Sequence, residues 1–271
     1  MSLKLEKEGP IAYIILNRPE LLNAFNAQMA TDLIGAVAKC NRDSSVRCVV
    51  IRGEGRAFCS GGDMKEQFAS LKAGNDGGEH FRTVGDLVHD AFVAVRSSPK
   101  IFIASIHGWA AGAGFGLSLA CDLRVATTDT KMLIGFSHQV GICSDSTTTF
   151  LLPRYVGLGR TAELFYLSNQ PIDASKAQEY GILNRVTAPE ELAAETKAMA
   201  TNIANASSFA LATTKNLVNE TWGGISAMQT QVDKETDGIA ATGSHEDHRI
   251  ALEAFFAKPR KLPVFKSARF R

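Results

Sequence analysis
Apolar residues fall into short continuous runs, separated by longer stretches in which they recur every third or fourth position. The runs are IAYIIL (11–16), RCVVIR (47–52), IFIASI (101–106) and LRVAT (123–127). Short aliphatic runs bounded by turn residues read as buried strands. Between the first two, Met29, Leu33 and Val37 repeat at i+4, with Asn26 placed to cap the helix they imply. Before the third, Val84, Leu87, Val88, Ala91 and Val95 form a second helical stripe that stops at Pro99. Strands alternating with helices predict an α/β fold. From about residue 189 the strand pattern ends, and PEELAAETKAMATNIAN, SFALATTKNLVNETW and segment 226–257 all read as helix. The expected division is a core over 1–195 and a helical region over 196–271. KAGNDGGE (72–79) reads as a flexible, turn-rich loop.

Composition narrows the class. A chain of 271 residues, 45% apolar and 21% charged, can bury a substantial core. A formal charge of +1 gives no pull toward nucleic acid or a membrane surface. No apolar run reaches the roughly 18 residues of a membrane span, and MSLKLEKEGP lacks a signal-peptide core. The five cysteines are odd in number and have no CxxC spacing, which predicts reduced thiols in a cytoplasmic protein. No metal centre is expected: His245 and His248, at i,i+3, lack further ligands.

Two glycine-rich loops follow predicted strands and open predicted helices. GEGRAFCSGGDMKE (53–66) opens one near Asp63, and HGWAAGAGFGLSLACD (107–122) follows IFIASI. Glycines at such junctions let backbone N–H groups face a ligand where the helix dipole favours negative charge. Two facing junctions can hold one developing oxyanion between two amides. Such glycines also serve close helix–strand packing alone. GAGFG (112–116) is GxGxG rather than GxGxxG, which speaks against a dinucleotide site. Further on, VGICSDSTTTFLLPR (140–154) carries a single acid, Asp145. Locally it suits either an N-cap for a helix over 146–152 or a general base.

With both loops in hand, the chain resembles the crotonase (enoyl-CoA hydratase/isomerase) superfamily nearly end to end. The resemblance rests on LNRPELLNAFN (16–26), AFCSGGDM (57–64), HGWAAGAGFGLSLACDLRVAT (107–127), IDASKAQEYGILNRV (172–186) and EAFFAKPRKLPVF (253–265). It implies a spiral of repeated ββα units with C-terminal helices that build trimers or dimers of trimers. It also implies an acyl-CoA substrate, with coenzyme A present only as part of the thioester and no separate cofactor. By position, the thioester oxygen would sit between the N–H groups of Gly62 and Ala113. Ser60, Gly61, Asp63 and Met64 would meet the adenine end of CoA, and Arg18, Lys258, Arg260, Lys261 and Lys266 its phosphates.

The resemblance also bears on the reaction. The two glutamates of the family's hydratases align with Gly116 and Ser137, neither of which is an acid or base. Asp145 aligns with the proton-shuttling carboxylate of Δ3,Δ2-enoyl-CoA isomerases and of ring-1,2-epoxyphenylacetyl-CoA isomerases. Phe136, Ser137, His138 and Gly116 are expected to wall the acyl pocket, with Cys59 and Cys143 beside it. One alternative is a 4-chlorobenzoyl-CoA-type dehalogenase, with Asp145 as nucleophile and His89 activating water. That reading has Phe136 in place of the ring-binding tryptophan, and His89 can equally be a surface or satisfied core residue. A hydratase-like or non-catalytic homologue is the other alternative.

Overall fold
The computed structural model describes residues 2–167 and 169–265. The first half runs β1 (Leu3–Glu8), β2 (Ile11–Leu16), α1 (Ala27–Arg42), β3 (Cys48–Gly53), α2 (Met64–Lys72), α3 (Gly77–Ser97), β4 (Ile101–Ile106), β5 (Trp109–Ala111) and α4 (Ala113–Ala120). The second continues with β6 (Leu123–Thr127), β7 (Lys131–Leu133), α5 (Thr148–Tyr166), β8 (Ile172–Asp173), α6 (Ala174–Glu179), β9 (Arg185–Thr187), α7 (Leu192–Asn205), α8 (Ser208–Glu220), α9 (Gly224–Gly243) and α10 (Glu246–Phe256). The larger sheet has the order β1-β2-β3-β4-β6-β9, and a smaller one the order β5-β7-β8. Among the described residues, only β1–β2 and β7–β8 pair antiparallel.

These pairings make a spiral. β4 and β6 lie side by side in the large sheet, while the strands that follow them, β5 and β7, pair in the small one. Each pair of strands then leads into a helix, α4 or α5. The turn before has the same form: after β3 the chain makes a parallel bridge from Cys59 to Ala110, then enters α2.

The four apolar runs are continuous because the parallel strands are covered on both faces. Ile14, Leu16, Val49, Ile51, Phe102 and Ala104 face the main core with α1, α3 and α4. Ile11, Cys48, Val50, Ile103 and Val125 face the other way, against Leu192 and Ala200 of α7. Met228, Ile239 and Leu252 of α9 and α10 join the main core. No helix among the described residues is long and apolar enough to cross a membrane.

Two local expectations need correction. The turn expected over 72–79 is confined to residues 73–76. α2 runs to Lys72, and α3 begins at Gly77 with Asp76 capping Gly78 N. A Cβ on Gly77 or Gly78 would lie 2.4 Å from the carbonyl oxygens of Gly243 and Ala240, so these glycines let α3 lie against α9. Segment 226–257 is helical as expected, divided into α9 and α10 at Ser244 and His245. The helix after Asp145 begins at Thr148 rather than Ser146, and the Asp145 side chain does not cap it.

Candidate active site
The two glycine loops meet. Phe58 N donates to His107 O (2.8 Å), Cys59 N to Trp109 O (2.9 Å) and Ala111 N to Cys59 O (3.0 Å). These bonds bring Gly61 against Gly112. A Cβ on Gly112 would sit 3.6 Å from Gly61 Cα, and both glycines have positive φ, 111° and 49°. Positive φ suits residues without a Cβ, so glycine belongs at these two corners. Ala113 is the first helical residue of α4, beyond the corner, and has no positive φ. Its methyl therefore costs the loop nothing, and its N–H lies at a helix start, where no intrahelical acceptor exists. Among the described residues neither Gly62 N–H nor Ala113 N–H has a hydrogen-bond acceptor. Both residues line one cavity of about 600 Å³.

Asp145 reaches that cavity from a tight turn. Ser146 and Thr147 both hold left-handed backbone, φ 60° and 65°, which costs on the order of 1–3 kcal/mol for each non-glycine residue. Glu235 on α9 compensates. Its carboxylate accepts from Thr147 N (2.7 Å) and Thr149 N (2.9 Å), and also from the Thr149 hydroxyl. The start of α5 is thus capped from a different helix, by a residue 88 positions from Thr147. On its far side the turn presses on α4: a Cβ on Gly116 would fall 2.0 Å from Ser146 O.

The Asp145 carboxylate is buried and bound from behind. His89 Nε2 on α3 lies 2.6 Å from its Oδ1, and Ser146 Oγ donates to Oδ2 (3.3 Å). Glu235 Oε2 stands 3.4 Å from the same His89 nitrogen. On the other edge of the ring, Nδ1 is 3.0 Å from Thr236 Oγ1. Burial alone would depress the His89 pKa, but the charge and hydrogen bond of Asp145, joined by Glu235, raise it to about 10. The raised pKa favours the imidazolium at neutral pH, with both carboxylates at its Nε2 edge. The ligand atoms of His89, Asp145 and Glu235 lie within 4.8 Å of one another, a spacing a metal ion can use. Here Nε2 is engaged by Asp145 and both Glu235 oxygens by the α5 start, so the cluster reads as a hydrogen-bonded unit.

The cavity gathers some of the expected residues and not others. Ser60, Gly61, Gly62, Asp63, Met64, Ala113, Phe136 and Asp145 all line it, together with Gln67, His80, Phe81 and Val88. Arg260 and Lys261 line it as well, and Arg260 rests on the Phe255 ring (4.0 Å) while donating to Gln139 (2.6 Å). Arg18 points elsewhere: its guanidinium binds Ala24 O (2.6 Å) and the Asp63 carboxylate (2.7 Å), bracing the N-cap of α2. Lys258 is exposed and outside the lining, and Lys266 lies outside the described residues. Ser137 faces a second cavity with Cys143, Gln231 and Glu235, and His138 and Gly116 line neither. Cys59 is buried beneath Gly114, its thiol pushed up to about 12 by burial. His245 caps α10, and His248 Nδ1 binds Val140 O (2.6 Å).

Of the acids that line the cavity, Asp63 is buried but tied to Arg18, Glu66 is exposed at the start of α2, and Asp145 is buried against His89. Sequence reading missed Glu235, Thr236 and Asp86, which lie 88 to 150 residues from these partners. A signal existed. Met228, Val232, Ile239 and Ala240 make the buried stripe of α9, and Glu235 and Thr236 fall inside it. A carboxylate in an apolar stripe requires a partner.

Comparison with known proteins follows from this geometry. Residues 6–267 match the enoyl-CoA hydratase/isomerase family. The chain is 32% identical to a 1,2-epoxyphenylacetyl-CoA isomerase of Escherichia coli over 251 residues, 93% of this chain and 94% of the relative. It is 29% identical to 4-chlorobenzoyl coenzyme A dehalogenase-2 of an Arthrobacter species, covering 94% and 91%. Among solved structures, an enoyl-CoA hydratase from Bacillus halodurans superposes with a TM-score of 0.86 at 25% identity, covering 94% of this chain and all of that one.

Proposed function
The chain belongs to the enoyl-CoA hydratase/isomerase family, and from that premise we propose that it is an acyl-CoA isomerase using Asp145 as its proton shuttle. The family acts on acyl-CoA thioesters, and its relatives here include an isomerase, a dehalogenase and a hydratase. The fold alone does not choose among these chemistries. The observation that carries the choice is the position of one buried carboxylate on the cavity that Gly62 and Ala113 also line.

Asp145 takes a proton from the carbon next to the thioester carbonyl. The C–H electron pair becomes the enolate double bond, and the enolate oxygen rests between the N–H groups of Gly62 and Ala113. Each such donor supplies roughly 3–4 kcal/mol of barrier lowering. As the double bond shifts, the proton returns to the carbon two positions along. Rearrangement of an aromatic-derived acyl-CoA draws on the same enolate. A second carboxylate of the hydratase kind has no room at position 116, where even a Cβ would overlap Ser146 O. Arg260 and Lys261 at the cavity wall suit the phosphates of CoA. Exposed Phe209, Leu217 and Tyr166 suit burial between copies of the chain in a trimer or a dimer of trimers.

One observation favours a second reading, dehalogenation: His89 lies 2.6 Å from Asp145. Against it, His89 is behind the carboxylate and does not line the cavity, so it has no face toward a hydrolytic water there. Purified protein given 3-enoyl-CoA separates the two. Conversion to the 2-enoyl thioester, without chloride release from 4-chlorobenzoyl-CoA, is the expected result. Chloride release without double-bond migration overturns the isomerase reading.

A further inference from the structure
The hydrogen bonds behind Asp145 do not stop at His89. Nδ1 of its ring contacts Thr236 Oγ1 at 3.0 Å, and Thr236 Oγ1 donates to Asp86 Oδ1 at 2.9 Å. Asp86 is one helical turn before His89 on α3 and is exposed. The four side chains therefore form one line from the buried carboxylate to the surface, along the seam between α3 and α9. The outer end of that seam also carries the exposed Arg82–Asp237 ion pair.

The directions of the bonds are constrained by chemistry. An ionised carboxylate only accepts, so the single hydroxyl proton of Thr236 is committed to Asp86. Thr236 Oγ1 must then accept from His89, which places a proton on Nδ1. Asp145 at 2.6 Å from Nε2 requires a second proton between those two atoms, since two lone pairs cannot meet there. The charges of Asp145 and Glu235 favour that second proton on the ring, which then is protonated at both nitrogens, flanked by Asp145 and Glu235 on one edge and by Thr236 on the other.

We propose that Asp86 and Thr236 form a proton relay that links the His89–Asp145 pair to bulk water along the α3–α9 seam, away from the substrate cavity. This inference rests on the proposed role of Asp145 for its use in turnover, but not for its existence. When Asp145 gains a proton from substrate, the pair carries a buried positive charge with less to balance it. His89 Nδ1 then passes its proton to Thr236 Oγ1, whose own hydroxyl proton passes to the Asp86 carboxylate and on to water. One proton enters the line at Asp145 and one leaves at Asp86, and the reverse hops restore the starting state. The relay keeps this exchange open while a bound thioester fills the cavity.

The test is the exchange of the His89 ring N–H protons with water, read by NMR on the full chain labelled with 15N-histidine, without substrate. Thr236→Val keeps the shape and removes the hydroxyl, and Asp86→Asn changes only an exposed residue. Each is expected to slow His89 exchange by about 100-fold or more, the lower end of what a positioned acid–base group contributes. Thr236→Ser, which retains the hydroxyl, should restore the wild-type rate. Equal exchange in wild type and Thr236→Val overturns the proposal. So does slowing in Thr236→Val without slowing in Asp86→Asn, because water would then reach Thr236 directly. Failure of the isomerase reading shows instead as absent turnover of 3-enoyl-CoA by the unmodified protein, and leaves this measurement intact.

Discussion

Asp145 is held by what surrounds it rather than by what it caps. Its side chain faces His89 and the cavity, while Glu235 satisfies the strained turn that presents it. That division of labour makes a prediction about Glu235. Replacing it with alanine strands the Thr147 and Thr149 amides beside two left-handed residues. Each orphaned buried donor costs about 1–3 kcal/mol. Glu235→Ala should therefore lower stability by on the order of 3 kcal/mol, read as a reduced urea midpoint with an unchanged m-value. A midpoint within error of wild type would mean that the turn is not held from α9. At this scale the sequence was half legible. Asp145, Gly62 and Ala113 could be named because each sits in a local motif, and all three line the cavity. His89 was set beside Asp145 only by the dehalogenase alternative, and Glu235 and Thr236 could not be assembled with them, because their meeting depends on how α3 and α9 pack. Ser137 and His138 follow Phe136 directly, yet a single π turn over Phe136–Val140 directs only Phe136 and Val140 to the core. No periodicity announces such a turn.

Between elements, the close approaches are made by glycines. Gly77 and Gly78 seat α3 on α9, and Gly116 seats α4 against the Asp145 turn. β2, β3, β4 and β6 were legible from apolar runs since both faces of the large sheet are covered there, whereas its edge strands β1 and β9, exposed or half-buried along most of their length, carry no such run. β5, β7 and β8, with two or three residues each, were not legible either, since so short a run carries no period. The glycine contacts were legible only as turns, because a sequence does not reveal what a missing side chain makes room for. Gly116→Ala isolates one of them. Its Cβ would sit 2.0 Å from Ser146 O, so α4 and the turn must separate. Overpacking of this kind costs typically 1–3 kcal/mol, and here it also displaces the Asp145 carboxylate. The expected outcome is a lower melting temperature together with a fall in kcat that exceeds the change in KM. A variant as stable and active as wild type would show that the contact is not tight.

For the whole molecule, the charge of His89 ties stability to pH. Its folded pKa is raised from 6.5 to about 10 by Asp145 and Glu235, against the opposing effect of burial. A raised pKa means that the folded state holds the proton more tightly than the unfolded chain. The contribution is complete below about pH 6.5 and is lost as the pH rises toward about 10. One proton corresponds to at most about 1.4 kcal/mol per pH unit across that window. Wild-type stability should fall from about pH 7 to 9 with part of that slope, and His89→Gln should flatten it. Equal slopes in the two proteins would place the titration elsewhere.

The central claim is that one buried carboxylate, aided by two backbone amides, moves the proton. Its most direct measurement is the rate of 3-enoyl-CoA isomerisation by Asp145→Asn beside wild type, with thioester binding followed separately by calorimetry. Removing a positioned acid–base group costs about 100- to 10,000-fold in rate, so kcat should fall by that factor while the dissociation constant stays within a few-fold of wild type. An Asp145→Asn enzyme that isomerises at the wild-type rate would contradict the account.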